Sequence, residues 1–492
     1  MKLIQTIFRN FRCYHNLELN YGSETTVLIG KNGTGKSSVL SAIRRGLSIF
    51  FMDSKTFSKN LNFTNTAKVK GYRVKDFKFD NINRIFESDI NNNFKANLND
   101  SFITWSLQQK SLTGKPIKEF YEDAAKVLLA AYNTIPASPL PLFAVYTDNF
   151  PHVAFKPKKE IKELIQFDIL PRDFGYYKWD EENIILLWVT RFIKAANIEK
   201  DLKDDLKEIE KQIATAENSI SEANKEQDKK KIEKYSRLLD DFLSRRNQLL
   251  HFDNRIIKFE KERKLIEEAF ISFTSPLTDP YDFINSEFEI SSLSVNRPDK
   301  KEFELTFNFK DGRNIMFDTL PMGYKRIFSI VLDIAYRSFI LNETLESEGV
   351  VLIDEIELHL HPTLQQEVLA RLKKTFPNIQ FIITTHSPLV ISNFKVDSNN
   401  KIIKLIQDAN DYSSEELEGT FGVDYTTNLR EVMEVNPRSS TIDKYIDAYL
   451  FLFGENKLTQ AEEMLNALQE YLGVPIPSKL KSEIELKKKE YN

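Results

Sequence analysis

The chain has 492 residues with 68 Lys or Arg and 72 Asp or Glu, so its formal net charge is −4 at pH 7. This balance excludes a general electrostatic attraction to nucleic acid, and any such contact would need a local basic patch. The single cysteine, Cys13, excludes an intrachain disulfide. With no leader-like segment and no apolar run of about 18 residues, the sequence predicts a cytoplasmic chain of about three domains that spans no membrane.

The first strong motif lies near the N-terminus, where residues 30–37 read Gly-Lys-Asn-Gly-Thr-Gly-Lys-Ser. Residues 26–29 predict a strand before it and residues 39–43 a helix after it, which is the context that a phosphate-binding loop requires. An incidental glycine turn would need neither element. In this interpretation Lys36 reaches the β- and γ-phosphates of a nucleoside triphosphate and Ser37 holds Mg²⁺. The predicted nucleotide-binding residues of the loop are Asn32, Gly33, Gly35, Lys36, Ser37 and Ser38.

A long insertion follows the loop. Alternating polar and apolar residues over 94–109 predict antiparallel strands, and Leu142–Tyr146 predicts another strand. Further on, apolar residues at 4-3 spacing predict a long helix, and a second apolar seam after the polar residues 224–230 predicts its return as an antiparallel hairpin. The first seam comprises Leu202, Leu206, Ile209, Ile213, Ala216, Ile220 and Ala223, and the second comprises Ile232, Tyr235, Leu239 and Phe242.

Three lysines, residues 229–231, lie at the predicted tip of this hairpin. They could contact nucleic acid. The arm is also rich in Asp and Glu, however, and this mixture favours an ordinary solvated helix face.

A β-hairpin begins the second half of the predicted head. Alternating apolar residues over 303–309 and the turn at Asp311 and Gly312 indicate its two strands. Residues 320–326 read Leu-Pro-Met-Gly-Tyr-Lys-Arg and precede residues 327–336, whose periodicity predicts a helix. Gly323 is thereby predicted just before a helix start, where exposed backbone donors could meet a phosphate.

The second strong motif is an apolar run that ends in two acids. Residues 349–353 predict a buried strand, and Asp354 and Glu355 follow it directly. In a nucleotide site Asp354 would bind Mg²⁺, and Glu355 would polarise the attacking water as a general base. The alternative is a strand followed by a helix with an acidic first turn. The phosphate-binding loop upstream favours the nucleotide site.

Residues 381–388 predict another buried strand, and His386 lies near its end. Parallel strands end at one sheet edge, so we predict that His386 lies near Asp354 and Glu355, within reach of a γ-phosphate. His359 and His361 could share a cation, but zinc needs three or four ligands, so we favour no metal there.

Residues 402–406 predict the last strand of the sheet, and the chain after it is predicted to be helical. Tyr445, Tyr449 and Phe453 share an apolar face in the first tail helix, and a second amphipathic helix ends at Gly473. The three aromatic residues are candidate anchors for a partner protein. Alternatively, the two helices cover the flank of the head.

Together these motifs resemble the ABC-type ATPases of the soluble branch, which includes the SMC-like repair proteins and the OLD-type ATPases of bacterial defence. Residues 7–12, Ile-Phe-Arg-Asn-Phe-Arg, are similar to that branch's first strand, and Arg12 matches its nucleotide-contacting arginine. Residues 354–362 resemble the OLD-type extended Walker B segment, and residues 384–388 resemble its switch-histidine segment. The resemblance implies ATP and Mg²⁺ as ligands and catalytic roles for Glu355 and His386.

The resemblance also implies a dimer whose heads sandwich ATP. In the family, a signature serine and a glycine, here Gly323, complete the γ-phosphate site of the other subunit, and His361 would lie at the interface. This chain has Pro321 at the serine position, and proline supplies neither a hydroxyl nor an N–H. Weak hydrolysis is therefore expected, with ATP acting more as a sensed ligand than as a fuel.

The predicted fold class is α/β: an ABC-type P-loop ATPase head assembled from N- and C-terminal lobes, with an inserted antiparallel helical hairpin and a helical C-terminal tail. Residues 1–150 are predicted as the N-terminal lobe with a strand-rich insertion, and residues 151–284 as the helical insertion, with a coiled-coil hairpin at about 200–270. Residues 285–407 are predicted as the C-terminal lobe and residues 408–492 as the tail.

OLD-type proteins continue into a metal-dependent nuclease domain, which needs acidic residues clustered at strand ends. The sequence after His386 has no such cluster, so no nuclease site is predicted in this chain. A head with a short arm and such a tail resembles the PtuA-type ATPase family of Septu and retron-associated anti-phage defence systems, whose partner is an HNH nuclease. The resemblance implies a sensor ATPase that forms homo-oligomers, controls that nuclease and meets nucleic acid through the complex. The alternative is an autonomous SMC-like DNA-repair or DNA-clamping ATPase.

Overall fold

The computed structural model describes residues 1–51, 71–80, 83–98, 101–115, 117–119, 138–150, 170–180, 185–251, 253–277, 288–296, 303–408, 412–423, 425–435 and 438–490. They form two compact units, Met1–Phe421 and Gly422–Asn492. The strands are β1 Lys2–Phe11, β2 Tyr14–Asn20, β3 Thr25–Ile29, β4 Phe79–Asp80, β5 Ile85–Phe86, β6 Ile90–Leu98, β7 Ser101–Gln109, β8 Ile117–Glu119, β9 Leu142–Tyr146, β10 Ile290–Asn296, β11 Glu304–Phe309, β12 Asn314–Met316, β13 Gly349–Ile353, β14 Ile379–Thr384, β15 Asn400–Gln407 and β16 Tyr412–Leu417. The helices are α1 Lys36–Leu47, α2 Ile185–Lys225, α3 Lys229–His251, α4 Asp253–Thr274, α5 Met322–Asn342, α6 Pro362–Thr375, α7 Pro388–Ser392, α8 Tyr425–Thr427, α9 Ser440–Gly454, α10 Leu458–Leu472 and α11 Ser478–Glu490.

The first unit is built on a mixed sheet with the strand order β16-β15-β3-β14-β13-β9. Neighbouring strands from β15 to β9 are parallel, and β16 runs antiparallel to β15 at one edge. Every residue of β3, β9, β13 and β14 is buried, which explains their nearly continuous apolar sequences. Because parallel strands end at one edge, the residues that follow β3, β9, β13 and β14 lie close together.

The strand β16 differs from the sequence prediction, which places the last strand of the sheet at residues 402–406. It pairs with β15 from Ile402 opposite Leu417 to Gln407 opposite Tyr412. The sequence of β16 is Tyr-Ser-Ser-Glu-Glu-Leu, and none of its residues is buried. An edge strand held mainly by backbone hydrogen bonds carries no alternating apolar signal, so the prediction ended one strand early.

A second sheet, antiparallel with the order β2-β1-β6-β7-β8, packs against helix α1. The pairing of β6 with β7, from Ile90 opposite Gln109 to Leu98 opposite Ser101, confirms the antiparallel strands predicted over 94–109. The Trp105 indole donates to the carbonyl oxygen of Gly46 in α1 at 3.0 Å. This sheet therefore fixes the helix that begins at the phosphate-binding loop.

The arm consists of long helices. Helix α2 has 41 residues, many more than the seam from Leu202 to Ala223 indicates, because its first turns belong to the head, where Trp188 and Phe192 are fully buried. The short turn over residues 226–228 joins α2 to α3, and the two helices pack against each other. In the part of the chain that the structure describes, no helix combines the length and apolar character needed to cross a membrane.

The arm tip is capped by its own acidic residues. The Asp228 carboxylate accepts hydrogen bonds from the backbone N–H groups of Lys230 and Lys231, each at 3.1 Å. The Lys231 ammonium also pairs with Glu226 at 2.9 Å. The charge of Lys231 is therefore paired within the arm, as the solvated-face interpretation expects for this residue.

The second unit is helical, and α9, α10 and α11 enclose a small core of Ile446, Tyr449, Leu450, Ala461, Leu468, Ile476 and Ile484. Tyr449 is only 4% exposed, and Tyr445 and Phe453 pack against the same core. The three aromatic residues offered as partner anchors therefore stabilise the tail itself. The exposed apolar side chains of this unit include Phe451, Leu458, Tyr471, Val474 and Leu486.

Candidate functional site

The loop between β3 and α1 has the backbone shape that phosphate binding requires. Gly33 and Gly35 have φ angles of +89° and +92°, a region that side chains disfavour. A Cβ at Gly35 would also lie 2.2 Å from the Tyr14 hydroxyl. That hydroxyl donates to the carbonyl oxygen of Thr34 at 3.1 Å and supports the loop. Helix α1 begins at Lys36, so its N-terminal end is available to an anion at the loop.

A cleft of about 330 Å³ lies at this loop, a volume typical of small-molecule sites. Every predicted site residue except Gly323 lines it, and Cys13 and Thr384 join them. The lining residues are Arg12, Cys13, Asn32, Gly33, Gly35, Lys36, Ser37, Ser38, Asp354, Glu355, Thr384 and His386. The fold thus brings the ends of β3, β13 and β14 together at one place.

Lys36 lies in this cleft as a buried cation. Its side chain is held by hydrogen bonds from the ammonium to the carbonyl oxygens of Gly30 at 2.7 Å and Lys31 at 3.1 Å. Burial lowers the pKa of Lys36 to about 8, against the opposing charges of Asp354, Glu355 and Glu357. Because its hydrogen-bond acceptors are neutral carbonyls, a phosphate group would meet a cation that is already in position.

Asp354 and Glu355 follow β13 at the carboxyl edge of the sheet. Thr384, the last residue of the neighbouring β14, donates from Oγ1 to Asp354 Oδ1 at 2.5 Å and accepts from the Glu355 N–H at 2.8 Å. One threonine therefore orients the Asp354 carboxylate and fixes the main chain of Glu355. Burial first, and then Asp354 and Glu357, raises the pKa of Glu355, which suits a general base.

The donor atoms at the cleft fit a hard cation. Ser37 and Asp354 both line it and offer a hydroxyl and a carboxylate oxygen. Mg²⁺ prefers such oxygen donors and usually takes few of them from the protein, with substrate phosphates and water completing its coordination. The residues present therefore fit the predicted ion.

His386 lies just beyond β14, and Glu357 holds its backbone. The Glu357 carboxylate accepts from the His386 N–H at 2.5 Å and from the Thr385 hydroxyl at 2.8 Å. Burial, followed by the charge of Lys36, lowers the pKa of His386. The imidazole is therefore mainly neutral near pH 7 and has one N–H to donate.

Arg12 follows β1 and lines the same cleft. Its guanidinium donates to the buried carboxylate of Asp76 at 3.2 Å and to the hydroxyls of Ser38 and Ser41 at 3.3 and 3.1 Å. These bonds hold a cation beside the first turns of α1, where the nucleotide is predicted to lie.

Gly323 does not line the cleft. Helix α5 begins at Met322 with Pro321 as its N-cap, so Gly323 lies in the first helical turn rather than before the helix. A Cβ at Gly323 would lie 2.3 Å from the carbonyl oxygen of His359, which explains the glycine by packing within this chain. Its contact with a nucleotide on a second subunit stays a prediction.

Of the two histidines considered as a cation site, His359 and His361, the second is the N-cap of helix α6. The His361 ring Nδ1 accepts from the Thr363 N–H at 3.4 Å, at the N-terminus of α6. His359 adopts a φ of +65°, and its carbonyl contacts the position of Gly323. The two residues are thus part of the turn that connects β13 to α6.

Sequence reasoning misses the roles of Thr384 and Glu357 and the position of Asp148, whose charge also raises the pKa of Glu355. Thr384 ends a parallel strand and Asp148 lies two residues beyond β9, so the rule that strand ends form the site could have indicated both. Cys13 gave no such signal, because its place depends on the turn between β1 and β2.

Known proteins resemble this chain over most of its length. The AAA ATPase domain family matches residues 1–391. The chain is 27% identical to the Retron Vc95 probable ATPase of Vibrio cholerae serotype O1 biovar El Tor, over 91% of this chain and 78% of that protein. It is 30% identical to Septu protein PtuA of Bacillus mycoides (strain KBAB4), over 39% of this chain and 28% of that protein. Among solved structures, the Smc head domain with an extended coiled coil from Pyrococcus furiosus aligns with a TM-score of 0.42 and 14% identity, over 85% of this chain and 96% of that chain.

Proposed function

The chain belongs to the AAA ATPase domain family, and we propose that it is a regulatory ATPase of a bacterial anti-phage defence complex, which binds Mg·ATP, hydrolyses it slowly and controls a partner nuclease of the HNH type. The cleft that unites Lys36, Asp354 and Glu355 carries this proposal. The relatives support the setting, since one is a retron probable ATPase and another a Septu protein. The test is calorimetric titration of the purified chain with Mg·ATP, together with phosphate-release kinetics, and a chain that binds no nucleotide would refute the proposal.

Each residue of the cleft is assigned one role in binding or hydrolysing ATP. The N-terminal end of α1 and Lys36 bind the phosphates, while Ser37 and Asp354 would hold Mg²⁺, which would supply charge neutralisation for the phosphates when bound. Glu355 accepts the proton of the attacking water. His386 donates a hydrogen bond to the γ-phosphate and so helps to retain the charge that develops there.

We further propose that two copies of the head close on each other around the nucleotide. Met322 is 56% exposed next to Gly323, so the first turn of α5 is accessible to a second copy of the chain. In that arrangement Gly323 of one subunit offers its backbone N–H to the γ-phosphate held by the other. Pro321, the N-cap of α5, offers neither an N–H nor a hydroxyl, which accounts for slow turnover.

Replacing Pro321 with serine should raise the rate of ATP turnover. A serine hydroxyl at the N-cap would restore a donor to the γ-phosphate site, and one added hydrogen bond to a charged group is worth about 1.5 kcal/mol, or roughly tenfold in rate. Steady-state phosphate release measures the effect. Pro321→Ala is the matched control, because it removes the ring and adds no hydroxyl. An equal rise in both variants would mean that removal of the proline ring, and not the serine hydroxyl, raises the rate.

The contact with the nuclease is proposed on the exposed apolar side chains of the tail unit. Phe451 and Tyr471 are 63% and 52% exposed, and large aromatic side chains of this kind dominate interface energetics. The alternative function of clamping DNA would have to use the lysines at the arm tip, where the Lys231 ammonium already pairs with Glu226.

Removing Gly422–Asn492, the second compact unit, should release the nuclease and leave ATP binding intact, because no residue of the nucleotide cleft lies in it. A pull-down of the co-expressed neighbouring nuclease checks this result. Phe451→Asp in the full chain should weaken the same contact, whereas Ile257→Asp, at a similarly exposed position on the arm (57%), should not. If the truncated chain retained the nuclease, the tail would not be the docking surface.

A further inference from the structure

A buried arginine of helix α5 reaches the end of the strand that carries the two acids. Arg326 is 1% exposed. Its Nη2 donates to the carbonyl oxygens of Asp354 at 2.7 Å and Glu355 at 3.2 Å. The guanidinium therefore holds the main chain of both acidic residues and leaves their carboxylates to the cleft.

The other terminal nitrogen of Arg326 binds the segment that follows β9. Its Nη1 donates to the carbonyl oxygens of Thr147, Asp148 and Phe150 at 3.0, 3.2 and 2.8 Å. Strands β9 and β13 are parallel neighbours, so one side chain joins the chain segments at their carboxyl ends. Among the described residues, the terminal nitrogens of this buried cation donate to main-chain carbonyls, an arrangement that fixes backbone geometry rather than neutralising one acid.

The backbone of Glu355 needs such support. Its φ is +49°, in the left-handed region that non-glycine residues seldom adopt without external constraint. The Glu355 N–H is fixed by Thr384 Oγ1 and its carbonyl oxygen by Arg326, so the peptide groups on both sides of the strained residue are held. The direction of the Glu355 side chain follows from that conformation.

We propose that Arg326 is the positioning residue of the hydrolytic site, which holds Asp354 and Glu355 in their working orientation from helix α5. This role rests on the proposed ATPase function, because Glu355 is positioned for the attack of water. Arg326 lies three positions after Gly323 in the same helix, so the element that carries the signature glycine also sets the acidic residues of its own subunit. Burial lowers the pKa of the Arg326 guanidinium, and the charges of Glu355, Asp148, Glu357 and Asp354 oppose that effect.

The test compares Arg326→Met with Arg337→Met. Arg337 is a matched control, because it lies on the same helix, is also 1% exposed and donates to Asp333 and to the carbonyl oxygens of Gly175 and Tyr177. We expect Arg326→Met to keep its Kd for Mg·ATP within about threefold and to lose about 100-fold in kcat, as misplaced catalytic groups do. Arg337→Met should lower the melting temperature at least as much and keep its kcat below that temperature. Equal losses of kcat in both variants would overturn the proposal.

Amide hydrogen exchange gives a second readout that requires no nucleotide. The N–H groups of Asp354, Glu355 and Ile356 bond to Tyr146 O, Thr384 Oγ1 and Thr384 O in the structure. In Arg326→Met these amides should exchange at least about tenfold faster, whereas Arg337→Met should leave them unchanged. Unaltered exchange at residues 354–356 would overturn the role of Arg326. A wild-type chain that bound no Mg·ATP would instead overturn the proposed function and leave the exchange comparison valid.

Discussion

Replacement of Lys36 by alanine is expected to abolish measurable Mg·ATP binding. The Lys36 ammonium is the cation held inside the phosphate-binding loop, by the carbonyl oxygens of Gly30 and Lys31. Without it, the phosphates would face Asp354 and Glu355 with only backbone dipoles to offset the repulsion. A hydrogen bond to a charged group contributes about 1.5–3 kcal/mol. If the Lys36 ammonium donates two such bonds to the phosphate oxygens, their loss corresponds to a Kd increase of at least about 100-fold.

Calorimetric titration with Mg·ATP measures this effect directly. Lys31→Ala is the control, because it removes a positive charge from the same loop at an exposed position and leaves the buried ammonium in place. The control should bind nucleotide nearly as well as the unaltered chain. Undiminished binding by Lys36→Ala would mean that the cleft does not hold the triphosphate as proposed.

The parts of this site that the sequence predicts are those with strong local signals. Strand β3 and strand β13 are uniformly buried, and their apolar runs end directly at the glycine loop and at Asp354. The glycine spacing, with positive φ at Gly33 and Gly35, is equally local, because each turn needs its own residue type. Such signals give the loop and the two acids without any knowledge of the tertiary fold.

The parts that the sequence does not predict depend on register and on distant packing. Thr384 contacts Asp354 because β13 pairs with β14 with Ile353 opposite Ile383, and a single sequence does not reveal that alignment. The sequence around Arg326 indicates only a helix, and its role depends on the packing of α5 against the ends of β9 and β13. Helix α2 is also longer than predicted, because Trp188 and Phe192 in its first turns are buried against the head, a contact that a single sequence does not reveal.

In the tail, the helix pattern is confirmed, whereas the role of its aromatic residues as partner anchors stays a prediction. The apolar face that includes Tyr445, Tyr449 and Phe453 belongs to a helix, α9, as its periodicity predicts. Helix α11, which was not predicted, adds Ile484 to the core that this face shares with the second tail helix. The three aromatic residues pack in or against that core, so exposed side chains such as Phe451 are better candidates for a docking surface.

Replacement of Glu355 by glutamine should preserve nucleotide binding and remove hydrolysis. Glutamine keeps the size of the side chain and the backbone contacts to Thr384 and Arg326, but its amide cannot accept the proton of the attacking water. General-base catalysis contributes about 10²–10⁴-fold, so kcat should fall by at least about 100-fold while the Kd for Mg·ATP stays nearly constant. Single-turnover phosphate release and calorimetry separate the two quantities.

The comparison that decides the identity of the base is Asp148→Asn. Asp148 is a carboxylate two residues beyond the neighbouring strand β9, and its charge acts on Glu355, so it is a rival candidate for the proton. Asp148→Asn removes one of the charges that raise the pKa of Glu355, yet it leaves the Glu355 carboxylate in the cleft, so most of the turnover should remain. A chain that hydrolyses ATP at the unaltered rate with Glu355→Gln and loses the activity with Asp148→Asn would move the catalytic role from the strand β13 to the segment after β9.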